Sequence, residues 1–97
     1  MRNLLVVLCV GLSACAHTAL PDDLLRFVEQ RDACDHFRGE FPDPPDPERT
    51  AEVLKMVAEF CTGTDLRLAQ LRARHSANAT AMKRLSEYDA VIEKKPK

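Results

Sequence analysis

The sequence predicts a small all-α domain, a bundle of three to four helices joined by a proline-rich arm and stapled by one disulfide. Three observations carry this. Apolar residues recur at helical spacing with no alternating strand pattern, glycine and proline fall between those stretches, and two cysteines, Cys34 and Cys61, remain once an N-terminal leader is set aside. At 97 residues the chain has room for one domain. A domain this small buries only about 60% of its unfolded surface, so a covalent tie is expected. Charged residues make up 30% of the chain and Trp is absent, a composition that disfavours both a disordered and a membrane-spanning body.

The first helix is expected over Asp22 to Arg38. Pro21 sits at its first turn, Asp22 and Asp23 lie near the positive end of the dipole, and His36 and Arg38 lie near the negative end. Leu24, Phe27, Val28, Cys34 and Phe37 form its apolar stripe, and Gly39 reads as a left-handed stop. Phe41 to Pro47 is too rich in proline for helix or sheet and reads as an extended polyproline-like arm. Asp46 then caps a second helix with Pro47 at its first position. Val53, Leu54, Val57, Phe60 and Cys61 are its stripe and Gly63 closes it. Thr64 is expected to cap a third helix marked by Leu66, Leu68, Ala69 and Leu71, which fades near Ser76-Ala77-Asn78. A last helix is expected through Met82, Leu85, Tyr88 and Ile92.

The segment Met1-Arg2-Asn3, the apolar run Leu4 to Leu12 and the small residues after it make a secretory leader, too short to span a bilayer. Two cleavage sites compete. Ala14-Cys15-Ala16 fits ordinary leader cleavage, whereas Leu12-Ser13-Ala14-Cys15 resembles the lipobox of bacterial lipoprotein precursors, whose cysteine becomes a lipidated N-terminus. That resemblance implies a signal peptide over 1–14 and a tether over 15–21, before the helical domain expected over 22–93 and a basic tail over 94–97. It also implies lipidation of Cys15 and palmitate among its acyl chains, hence a periplasmic body held on a membrane. Ala16 in place of Asp after the cysteine implies sorting to the cell outer membrane of a Gram-negative envelope. Several acyl chains are enough for stable anchoring without insertion of the body. The segments Cys34-Asp35-His36-Phe37-Arg38-Gly39-Glu40 and Cys61-Thr62-Gly63-Thr64-Asp65 further resemble small uncharacterised exported proteins of proteobacteria, a likeness that implies no activity or site residue.

Outside the cytoplasm the pair Cys34 and Cys61 is most simply a disulfide. A redox centre would show C-x-x-C, and a zinc site would need more Cys and His ligands close together. In a plain hairpin Cys34 would face the start of the second helix, not its end. An arm that runs out and a helix that returns, each spanning roughly 22 Å, would bring Cys61 back to Cys34.

Candidates for chemistry are few. His36 and Glu40 are spaced i, i+4 and, with Asp35, could share a metal on an unbroken helix. One histidine and one or two carboxylates are few for a catalytic metal site, and the plainer reading is that Glu40 turns back to His36 or Arg38 as an ion pair. His17 and His75 read as solvated. Acids dominate from Asp22 to Glu59, and Arg67, Arg72, Arg74, Lys83 and Arg84 reverse the balance afterwards. Without stacking aromatics, and with an export signal, that basic half does not point to nucleic acid. The plainer reading of that half is a solvated helix face; lipid headgroups, anionic glycans or the chain's own acidic half are its expected counterparts if it binds. No Gly-rich loop, cofactor motif or activated nucleophile is present. The expectation is an envelope interaction protein that is not an enzyme and has no cofactor, binding an envelope protein or glycan; the alternative is a periplasmic metal binder using His36 and Glu40.

Overall fold

Pro21 opens the first helix because its fixed φ suits a helix start and its carbonyl accepts from the amides of Leu24 and Leu25 at 3.1 and 3.0 Å. In the computed structural model, which describes residues 19–93, the order is α1 (Asp22–Arg38), α2 (Pro47–Cys61), α3 (Thr64–Arg74) and α4 (Ala79–Leu85). No strand occurs among the described residues. The expected all-α fold with its proline-rich connection and its Cys34–Cys61 disulfide is what the structure has. The leader, Cys15, His17 and the basic tail lie outside the described residues.

Helix ends follow local chemistry, with corrections to the expectations. Asp46 caps α2 as expected, its carboxylate accepting from the amides of Glu48 and Arg49 at 3.1 and 3.4 Å. Gly39 ends α1 at φ −94°, with its amide turned to the carbonyls of His36 and Phe37, so the left-handed stop expected there does not form. The left-handed residue is Gly63, at φ 86°, a conformation that costs a side-chain-bearing residue energy. It turns α2 directly into α3. Thr64 is not a cap: its hydroxyl donates back to the carbonyl of Cys61 at 2.7 Å. The last helix is shorter than expected and stops at Leu85, because the carbonyls of Leu85 and Tyr88 turn to the Arg72 guanidinium at 2.9 and 3.1 Å. Asn78, where the pattern faded, caps α4 through the Ala81 amide at 3.0 Å.

The core is built by α1, α3, α4 and one residue beyond them. Leu24, Phe27, Leu68, Leu71, Ala81, Leu85 and Tyr88 form one buried cluster, with Leu20, Val28 and Met82 packed on it. Each of its Leu and Phe side chains contributes about 1.5–3 kcal/mol on burial. Leu66 and Ala69, expected on the α3 stripe, are exposed. α3 runs antiparallel to α1: its end, Arg74 and His75, meets Asp23, and its start, Asp65, lies beside Arg31.

α2 stands apart from that cluster and packs chiefly on the second half of α1. The disulfide holds the Cα atoms of Cys34 and Cys61 at 4.9 Å, Phe37 stacks on Phe60 at 5.6 Å, and Gln30 Nε2 donates to the Phe60 carbonyl at 3.1 Å. The arm is not the straight strut expected. It bends at Asp43 and Pro44, joined by a cis peptide bond, and Glu40 at its root pairs with Arg49 in the first turn of α2 at 3.4 Å.

Candidate functional site

The residues marked as metal candidates are not brought together. His36 is exposed and lies edge-on to Phe37 at 5.0 Å. Glu40 turns to Arg49, not to His36 or Arg38 as expected. Asp35 accepts from Arg38 at 2.9 Å and stands 3.7 Å from Arg31 Nε. No group of three or more His, Cys, Asp and Glu side chains among the described residues could hold a metal ion together. Nor does any helix among them have the length and apolar character to cross a membrane.

His75 is not solvated. Its ring nitrogen sits 3.0 and 3.2 Å from the two carboxylate oxygens of Asp23, which also accepts from Arg74 at 2.7 Å. The Arg74 guanidinium is the largest cause holding the Asp23 carboxyl below its ordinary range, with His75 adding to it. Arg84 likewise pairs with Asp32 of α1 at 3.7 Å. Two cations of the basic half are therefore directed at the acidic half of the same chain.

The most constrained polar group is Arg31, whose side chain is 1% exposed. It takes the slot between Phe27 and Cys34 on the buried face of α1, and its guanidinium lies 5.9 Å from the ring centres of both Phe27 and Tyr88. Nη2 donates to the Asp89 carbonyl at 2.6 Å and stands 3.8 Å from Asp65. Nε and Nη1 are buried with no hydrogen-bond partner. Tyr88 closes the other side. Its ring meets Phe27 edge-on at 5.4 Å, its hydroxyl donates to Asp32 at 2.7 Å, and Arg84 lies 5.1 Å from its ring centre. Burial, and then the neighbouring Asp32 carboxylate, push the phenol up to about 12.

Residues 89–93 form a strap without regular structure, tied to α3 by reciprocal bonds. The Asp65 carboxylate accepts from the amides of Ile92 and Glu93 at 3.0 and 2.8 Å. The Glu93 carboxylate accepts from the amides of Gly63 and Asp65, each at 2.9 Å. It thus satisfies donors that a helix start leaves without intrahelical partners. Beside α4 an open groove of about 220 Å³ is lined by Leu20, Thr80, Lys83, Arg84 and Glu87.

Sequence reasoning missed Arg31 and the strap. Position 31 falls on the stripe through Leu24, Phe27 and Cys34, so a charged residue in that slot was a readable sign of a buried ion. Nothing in the local pattern of the strap foretold its bonds to α3. Comparison with protein-family models, curated proteins and solved structures finds no match.

Proposed function

We propose that this chain is a lipid-anchored interaction protein of the bacterial envelope, held by Cys15 at a membrane, in the outer membrane facing the periplasm, and binding an envelope protein or an anionic glycan. It has no enzymatic activity of its own. The observation that carries the reading is the position and exposure of α2. The leader joins the domain at the start of α1. α2 is tied to the opposite half of that 17-residue helix, which is about 25 Å long at 1.5 Å per residue. A tether at Cys15 would therefore present α2 on the side remote from the lipid.

α2 is amphipathic but incompletely covered. Val53 and Cys61 are buried against the body, whereas Leu54 is 54% exposed and Phe41 of the arm 44%. Apolar side chains left open on a stapled, rigid helix suit recognition of a partner. The test is capture from crosslinked envelopes of the tagged protein and of its Leu54→Asp variant. The reading expects a discrete crosslinked species that the variant loses. Capture that the variant leaves unchanged, or none at all, would overturn it.

A further inference from the structure

The hydrogen bonds that hold the strap on the body go to its main chain and to one carboxylate, that of Glu93. Arg31 holds a backbone carbonyl, that of Asp89. Asp65 holds two consecutive backbone amides, those of Ile92 and Glu93. Gly63 and Asp65, at the start of α3, hold one carboxylate with two amides. Ala90 and Val91 between them are exposed. What the body recognises is an extended segment of about five residues ending in an acid, by its main chain and its charge.

We propose that this surface is a binding site for an extended acidic segment of a partner protein, blocked in this conformation by the chain's own residues 89–93. The start of α3 is not the sole ground. Arg31 is buried beside it, with its Nη2 turned to the strap, its Nε 3.7 Å from Asp35 and its Nη1 without a hydrogen-bond partner. The guanidinium thus keeps a buried donor, Nη1, that the strap does not use. The strap is also suited to exchange. Tyr88 anchors its root in the core, while the contacts described beyond it are polar, between groups that water or another peptide could satisfy. This site goes beyond the exposed face of α2 and does not depend on lipidation of Cys15.

The chain from residue 15 onward, with C15S to keep it in solution and the disulfide formed, is the protein to use. An E93Q variant removes the carboxylate that blocks the site in cis. The probes are an end-blocked peptide of residues 89–93 and its counterpart ending in Gln. In the folded E93Q protein the acidic peptide should move the amide resonances of Gly63 and Asp65 saturably. The Gln-ended peptide should bind at least about tenfold more weakly, because it lacks the charge that the helix start holds. The chain with Glu93 in place should also bind the acidic peptide at least about tenfold more weakly, since a tethered competitor acts at millimolar effective concentration.

No saturable movement at Gly63 and Asp65, or equal binding of the two peptides, would overturn the proposal. Hydrogen exchange on the chain with Glu93 in place tests it without relying on that variant's folding. Once intrinsic rates are corrected, the Gly63 and Asp65 amides should exchange at least about tenfold faster than those of Leu68 and Leu71, because the strap opens while the core stays closed. Exchange of all four at one rate would mean that the strap leaves only on global unfolding, and the proposal would fall.

Discussion

Replacing both cysteines, Cys34→Ser with Cys61→Ser, or reducing the disulfide, should release α2 before it unfolds the rest. The bond closes a sequence separation of 27 residues, for which the chain-entropy estimate is roughly 3.5 kcal/mol at 25 °C. The noncovalent hold on α2 is of the same size. Burying Val53 contributes about 1.5–3 kcal/mol, the Phe37–Phe60 stack about 0.5–1.5 and the Gln30 bond to the Phe60 carbonyl about 1. Losing the staple therefore removes close to half of what keeps α2 on α1. For a domain of this size about 4–8 °C of melting temperature accompanies each kcal/mol, so a fall of roughly 15–25 °C is expected.

Circular dichroism against temperature, with and without reductant, measures that fall. Hydrogen exchange on the reduced protein should show the amides of Met56 and Val57 losing protection ahead of those of Leu68 and Leu71. An unchanged melting temperature after complete reduction, checked by thiol titration, would refute the reasoning about the staple. Simultaneous loss of protection in α2 and α3 would refute the division between them.

Labelled palmitate should enter the full-length protein, and Cys15→Ser should release the protein from the membrane; label in the Cys15→Ser product would exclude lipidation there. Tyr88 has a folded pKa of about 12 against 10.0 for the unperturbed phenol. Its neutral form therefore favours the fold fully below pH 10 and loses that advantage as pH rises through about 12. Denaturation midpoints followed from pH 9 upward should fall for the native chain and fall less for Tyr88→Phe, which at neutral pH should cost only about 1 kcal/mol. Arg31→Ala should lower stability by about 3–5 kcal/mol, and Arg31→Met, which keeps a side chain between the two rings, should recover at least about half of it. Equal losses in the two variants would mean that charge and not packing fixes that position. Zinc titrated into the purified protein should show no stoichiometric complex; one that disappears in His36→Ala would restore the metal reading.

The elements that depend on short-range rules were legible. The bounds of α1, the Asp46-Pro47 start of α2 and the turn at Gly63 each follow from proline, acid and glycine at fixed offsets, and the cysteine pair followed from counting. The misreadings share a different cause. α4 would run on through Tyr88 if local periodicity decided, but Arg72, thirteen residues before Leu85, takes the carbonyls that a further turn would use. His75 looked solvated because its counterpart, Asp23, is 52 residues away in sequence. Glu40 had two basic neighbours within its own turn and instead pairs with Arg49 across the bent arm. Long-range polar pairings leave no periodic trace in the sequence, and those pairings shape the candidate sites.

Arg31 shows how such a pairing could have been suspected. A cation in the middle of an apolar stripe must either escape to solvent or find carbonyls, carboxylates and ring faces within the body, because an uncompensated buried charge costs several kcal/mol. A long side chain at the end of α1 could have escaped. At position 31, flanked on its face by Phe27 and Cys34, it cannot, and the chain must bring partners to it. Asp35, one turn on in α1, stands 3.7 Å from Nε, and the long-range partners are Asp65 at the start of α3 and the Asp89 carbonyl beyond α4. Satisfying one buried ion thus draws together the start of one helix and the strap that follows another. This small domain thus has two unlike closures. α2 is held by a covalent bond that competition cannot displace, and residues 89–93 are held by polar bonds that another peptide could replace one for one.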